Sequence, residues 1–182
     1  MKRSLVLSFL FTLVACAAFA QPRIQNLTAT ALESRVSVRF DLTDAFRNGQ
    51  TVQALQSGLP TSFTYVIEIY RDRPNWFDEG ITRARIEVIA TFNSVTREYL
   101  LNYRRDRKLV RSETLTDLET LEKRMTRVDE PNLFEIGNHR PYKLKVRVKA
   151  DFDRAFLLYV VPWQISTHWR SVRVSSTPEA KP

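Results

Sequence analysis

The sequence has little cysteine, histidine or glycine: one, two and four residues respectively in a chain of 182. A single cysteine cannot form an intrachain disulfide, so the fold depends on its hydrophobic core. The four glycines are too far apart for the clustered glycines of dinucleotide-binding turns and P-loops. No apolar run reaches the roughly 20 residues that a transmembrane helix needs. These absences exclude the common phosphate-loop and disulfide-scaffold classes.

Catalytic motifs are also missing. His139 and His168 are far apart and lack the spacing of helical zinc ligands. Asp151 and Asp153 are expected in a loop, and no carboxylate pair is selected for glycoside hydrolysis. We therefore predict no enzymatic activity, no cofactor and no metal site. The alternative is an enzyme whose site the fold assembles around His139 or His168.

The N-terminus predicts export. A basic start is followed by an apolar stretch over residues 5–14 and by the small-residue motif Ala18-Phe19-Ala20. This three-part pattern is typical of a secretory signal peptide, here residues 1–20, and places the mature protein in the periplasm. The segment ending at Cys16 also resembles a bacterial lipobox. Lipidation of Cys16 is therefore the alternative and would give a membrane-anchored lipoprotein.

The chain is basic, with 28 Lys and Arg against 20 Asp and Glu, a net charge of +8. Removal of residues 1–20 takes away Lys2, Arg3 and the only cysteine, and leaves a net charge of +6. Nucleic acid is not a normal partner of an exported protein. The expected partner is an envelope protein or an anionic component of the envelope. An anionic membrane surface is one such component, so peripheral membrane association is among the expectations.

Most of the remaining chain alternates apolar and polar residues with a period of two, which predicts half-buried strands. The strongest segments are 36–42, 63–69, 84–92 and 142–150, and weaker ones are 24–32, 97–103, 108–113, 157–164 and 168–174. The basic segment 104–108 is predicted to be a solvated hairpin turn.

Two short helices are predicted, over 44–57 and 116–127. Gly58 and Pro60 would end the first. Thr116 and Glu119 fit a capping box for the second, with Leu118, Leu121 and Met125 on its buried face. The fold class is mainly β: an antiparallel β-sandwich, immunoglobulin-like, with a half-open barrel as the alternative. One domain over residues 21–175 and a flexible tail over 176–182 complete the prediction.

Two features are candidate contact sites. Lys143, Lys145, Arg147 and Lys149 alternate along one predicted strand and form a row of cations. Such a row either binds anions or pairs with acids on neighbouring strands, for example Glu87 or Glu98. Trp76 and Phe77 are large apolar residues in the predicted loop 71–80. They either cover one end of the core or present an aromatic contact to a partner.

Several residues around the first helix and the following loop resemble those of a bacterial family called domain of unknown function 4390. The pattern Ala54-Leu55-x-Ser57-Gly58-Leu59-Pro60 is followed by Arg71-x-Arg73 and Trp76-Phe77-Asp78. The resemblance covers most of residues 24–174 and implies an exported bacterial protein of one domain. It implies no catalytic residue and no cofactor.

The leading functional hypothesis is a non-enzymatic envelope protein that binds a partner, as an accessory of an envelope complex or a membrane sensor. The second hypothesis is the binding of an anionic lipid or glycan through the face that carries Lys143, Lys145, Arg147 and Lys149.

Overall fold

The structure is a computed structural model that describes residues 21–47, 49–71, 73, 78–137, 139–153 and 165–176. The described residues do not include the predicted signal peptide, Cys16, Trp76, Phe77, the strand predicted over 157–164 or residues 177–182. Within the described part of the chain, no helix is long and apolar enough to cross a membrane.

The described strands form two sheets. The strands are β1 (Arg23–Leu32), β2 (Arg35–Thr43), β3 (Thr61–Arg71), β4 (Glu79–Asn93), β5 (Glu98–Arg105), β6 (Lys108–Leu115), β7 (Arg127–Glu135), β8 (Leu144–Asp153), β9 (Ile165–Ser166), β10 (Arg170–Arg173) and β11 (Ser175–Ser176). The smaller sheet has the order β11-β1-β2-β7, and only the β11–β1 pair is parallel. The larger sheet has the order β10-β8-β3-β4-β5-β6, with β9 paired to β8, and all its pairs are antiparallel.

The core lies between the two sheets, as the alternating patterns predict. Phe40 of β2 and Tyr65 of β3 meet edge to face across the sheets, with ring centroids 5.2 Å apart. Phe63 of β3 and Phe152 of β8 pack in the same way within the larger sheet. Most apolar residues of the strands are buried between the sheets, although Leu109 and Val110 of β6 are exposed. The predicted β-sandwich is therefore confirmed, and the described strands do not close into a barrel.

Both predicted helices are present but shorter than expected. Helix α1 (Gln50–Gln56) ends as predicted: Gly58 has a φ of 81°, and its N–H donates to the carbonyl of Leu55. Helix α2 (Leu118–Thr126) buries Leu121 and Met125. Its N-cap is Asp117 and not Thr116, because the Asp117 carboxylate accepts the N–H of Thr120 at 2.7 Å. The predicted capping box is wrong by one residue.

Strand β7 was not predicted. Proline and asparagine generally favour turns, yet Pro131 and Asn132 lie within this strand, where Asn132 has a φ of 52° and the pairing with β2 shifts register. A bulge at the edge of a sheet accommodates a proline that a central strand would exclude.

Two other assignments are corrected. Asp151 and Asp153 lie in strand β8 and not in a loop. Ser176, predicted to begin the flexible tail, pairs with Ala31 of β1. Between β10 and β11 the chain passes from the larger sheet to the smaller one, and the buried Val174 marks the crossing.

Candidate functional site

Of the four cations predicted to alternate along one strand, only three lie on that strand in the structure. Lys145, Arg147 and Lys149 lie on one face of β8, but Lys143 belongs to a 3-10 helix (Pro141–Lys143) that precedes the strand. The reason is Pro141, whose fixed φ suits the start of a helical turn. The Lys143 N–H then donates to the carbonyl of Arg140 at 3.1 Å and cannot enter the sheet ladder.

Acidic and aromatic side chains surround this row. Arg147 Nε donates to Glu68 at 2.8 Å, and its guanidinium lies 5.2 Å from the ring of Tyr70 and 4.8 Å from that of Trp169. Lys149 Nζ lies 3.0 Å from Asp151. The expected partners Glu87 and Glu98 are wrong, because β3 and not β4 or β5 is the direct neighbour of β8.

The other predicted site residues are not brought together. His139 Nδ1 accepts a hydrogen bond from Arg71 at 2.7 Å, and His168 is exposed in the loop between β9 and β10. Neither imidazole hydrogen-bonds a carboxylate or a hydroxyl group among the residues that the structure describes. Trp76, Phe77 and Cys16 remain predictions, because they lie outside those residues.

A cleft of about 720 Å³ lies between the β5–β6 hairpin, helix α2 and the start of β7. We call it the basic cleft. Five cations and two carboxylates line it, which gives a net charge of +3. Its lining residues are Tyr103, Arg105, Val110, Arg111, Thr120, Lys123, Arg124, Arg127, Asp129, Glu130 and Pro131.

A buried carboxylate, that of Glu130, binds two side chains in the inner part of the basic cleft. Glu130 is 7% exposed, accepts the hydroxyl hydrogen of Tyr103 at 2.7 Å and pairs with the guanidinium of Arg105. Burial raises the pKa of Tyr103, and the hydrogen bond to Glu130 raises it further. The Nε of Arg105 is buried without a hydrogen-bond partner within the described chain, so this guanidinium keeps an unused donor.

The rim of the basic cleft carries the other cations. Arg111 and Arg124 both approach Glu113, at 2.8 and 3.7 Å, and the Arg111 guanidinium lies 5.3 Å from the Tyr103 ring. Lys123 pairs with the exposed Glu119 at 2.7 Å. Arg127 has no ion-pair partner among the described residues. The rim therefore has more positive charge than its own carboxylates neutralise.

Sequence reasoning missed this cleft although one signal was present. The basic segment 104–108 forms the predicted turn, in which Asp106 and Arg107 both have positive φ. Arg105 comes from that segment, whereas Arg111, Arg124 and Arg127 come from three later elements. Their proximity depends on the unpredicted strand β7, so spacing along the chain could not show it.

The side chains that line the basic cleft are suited to binding an anion. Guanidinium groups recognise carboxylates and phosphates through paired N–H donors. Among the described residues, no group of three or more His, Cys, Asp and Glu side chains could hold a metal ion. The carboxylates of the lining hold cations in place: Glu130 holds Arg105, and Asp129 pairs with Arg39 at 2.8 Å.

A family model described as Domain of unknown function (DUF4390) matches residues 20–172. The chain belongs to the DUF4390 family. The match spans both sheets up to β10 and includes every residue that lines the basic cleft. No curated protein and no solved structure matches the chain.

The predicted resemblance to DUF4390 is thus confirmed at the level of the family. Two of the residues that carried the resemblance have structural tasks in this chain. Gly58 ends helix α1 in the left-handed conformation, and Leu55 is fully buried in the core.

Proposed function

We propose that this DUF4390 protein is an exported, non-enzymatic binding module of the bacterial envelope that holds an acidic partner protein through its basic cleft. The observation that carries the proposal is the lining of that cleft, with five cations against two carboxylates. A concave surface with excess charge of one sign attracts and orients a partner of the opposite sign. The signal-peptide pattern supports export.

The charges of the basic cleft favour binding because part of their donor capacity is unused. Arg127 has no ion-pair partner in the described part of the chain, and it lines the basic cleft. A carboxylate from a partner would pair with Arg127 without breaking the pair between Glu130 and Arg105. The cleft is therefore a preorganised binding site.

The second candidate function is binding of an anionic lipid or glycan through the cation row on β8, now Lys145, Arg147 and Lys149. The exposed Trp169, which lies 4.8 Å from the Arg147 guanidinium, favours this candidate because aromatic side chains bind at membrane interfaces and on sugars. Against it, Arg147 and Lys149 already pair with Glu68 and Asp151.

Two charge-matched triple variants separate the candidates. The cleft variant carries Lys123→Gln, Arg124→Gln and Arg127→Gln, and the row variant carries Lys145→Gln, Arg147→Gln and Lys149→Gln. Binding of the mature chain to poly-L-glutamate and to phosphatidylglycerol vesicles is measured at low and high salt. We expect the cleft variant to lose about tenfold or more in affinity for poly-L-glutamate, and the row variant to lose no more than about twofold.

If only the row variant loses binding, and the binding that it loses is to the vesicles, the result would favour the second candidate. Equal losses in both variants would mean that net charge alone controls binding, and the proposal would fail. Binding that does not weaken with added salt would also contradict it, because exposed ion pairs are screened. Thermal unfolding of each variant verifies that the fold is intact.

A further inference from the structure

We infer that strand β6 is a docking edge at which the partner adds an extended acidic segment as a further strand of the larger sheet. The inference rests on the proposed function and names the form of the partner. It follows from the position of β6 at the end of the sheet order and from the basic cleft beside it. Addition of a strand to a free sheet edge is a general mode of peptide recognition.

The edge of β6 is open along most of its length. The residues from Lys108 to Ser112 are all exposed, and Leu109 and Val110 are 61% and 55% exposed. Among the described strands, only β5 pairs with β6. An exposed edge strand with apolar side chains is a template for pairing with another chain.

The hydrogen bonds of the sheet show which groups of β6 are available. Asp106 donates its N–H to the carbonyl of Arg85 on β4, so the alternate residues Arg105, Tyr103 and Leu101 face β6. Tyr103 and Leu101 are paired with Arg111 and Glu113. It follows that Ser112 and Thr114 direct their backbone N–H and C=O groups away from β5, toward an incoming strand.

The outer strand of the smaller sheet, β7, is a poor alternative edge. Pro131 has no N–H to offer, and the left-handed Asn132 breaks the ladder. The Asn132 N–H donates to the Ser37 hydroxyl at 3.1 Å instead. Bulges and prolines protect sheet edges from pairing. Strand β6 has a regular stretch from Arg111 to Leu115, beyond its single irregularity near Arg104.

The charge beside β6 selects an acidic segment. Side chains of an added strand that face the basic cleft would lie beside Arg111 and near the cations of α2. The cleft lining has a net charge of +3, so acidic side chains at alternate positions of the partner would be attracted. A second copy of this chain would bring two positive clefts together, which makes self-association at this edge unfavourable.

The test uses the mature chain labelled with ¹⁵N and a capped peptide of alternating Glu and Thr. Amide shifts report contact at Ser112 and Thr114, and titration gives the affinity. The blocking variant carries Ser112→Pro and Thr114→Pro, which remove the outward N–H groups and leave the ladder to β5 intact. The matched control carries Ser112→Ala and Thr114→Ala, which keep both N–H groups.

We expect the Pro variant to bind the peptide about tenfold more weakly than the Ala variant, and a Lys–Thr peptide not to bind the unaltered chain. Equal affinities of the Pro and Ala variants would overturn the inference. So would amide shifts that spare Ser112 and Thr114. Suppose that one of these contrary results is obtained and that both variants still bind poly-L-glutamate in a salt-dependent way. The proposed function then stands, and only strand addition is refuted. Binding of phosphatidylglycerol vesicles without binding of either acidic polymer would refute both.

Discussion

At the scale of single residues, the basic cleft depends on one buried carboxylate. Glu130 is among the few charged or polar residues that are buried in the described chain, and two donors compensate it: the Tyr103 hydroxyl and the Arg105 guanidinium. A buried charge without such partners would cost several kcal/mol. The pair therefore fixes the position of Arg105 at the inner end of the cleft, where a ligand would meet it.

The hydroxyl of Tyr103 should contribute measurably to stability. We expect Tyr103→Phe to lower the free energy of unfolding by about 1 kcal/mol, because Glu130 loses one donor but keeps Arg105. Urea unfolding at neutral pH measures the change. Tyr99→Phe is the matched control, since the Tyr99 hydroxyl is on the same strand and makes no hydrogen bond among the described residues. Equal effects of the two substitutions would show that Glu130 does not need the Tyr103 donor.

At the scale of elements, the strands of strong alternation and the two helices could be predicted because local pattern decides them. A strand such as β2 needs only its own apolar face, and helix α1 ends where Gly58 permits a left-handed cap. Strand β7 could not be predicted in this way. Its pairing with β2 stabilises a segment whose proline and asparagine favour a turn when considered alone.

The candidate site shows the same limit. The alternation of the sequence was enough to place the cations of β8 on one face. Lys143 is the exception, because it lies in the helical turn that begins at Pro141. The partners of that row depend on strand order, and strand order is not encoded in spacing along one chain. The basic cleft depends on a hairpin, a helix and the edge of the other sheet, so no local pattern predicts it.

The N-cap of α2 offers a test of one such correction. The N–H of Thr120 stabilises the ionised Asp117 and lowers its pKa. A lowered pKa means that the ionised cap adds stability above the unfolded value, about pH 3.9, and that this stability is lost as pH falls through the folded value. We expect Asp117→Ala to lower the melting temperature at pH 7, and the difference from the unaltered chain to shrink below about pH 4.

Thr116→Ala is the control for this prediction, because Thr116 is the cap that the sequence pattern favours. It should leave the melting temperature nearly unchanged. Asp117→Asn should retain much of the stability at pH 7, since its carbonyl oxygen still accepts the Thr120 N–H. A larger effect of Thr116→Ala than of Asp117→Ala would contradict the assignment of Asp117.

At the scale of the whole molecule, the two sheets differ in size, and this difference leaves the last strand of the larger sheet uncovered. The described larger sheet has seven strands and the smaller has four, and β6 is exposed at the outer end of the larger one. Helix α2 packs where the smaller sheet does not cover the core, with the Tyr65 hydroxyl donating to the Met125 carbonyl at 2.6 Å. The basic cleft and the free edge of β6 therefore lie side by side.

For the proposed exported protein, processing of the N-terminus would determine how this surface is presented in the envelope. Strand β1 begins at Arg23, so cleavage after Ala20 would release a mature chain with almost no segment ahead of its first strand. Lipidation of Cys16 would instead leave residues 17–22 as a tether of about 20 Å at most, and would hold the sandwich against the membrane. We expect cleavage after Ala20, and intact-mass measurement of the protein purified from the envelope should give a chain that starts at Gln21. Cys16→Ala should then leave the mass and the soluble periplasmic fraction unchanged, whereas a diacylglyceryl-modified Cys16 would show that the protein is anchored at the membrane surface.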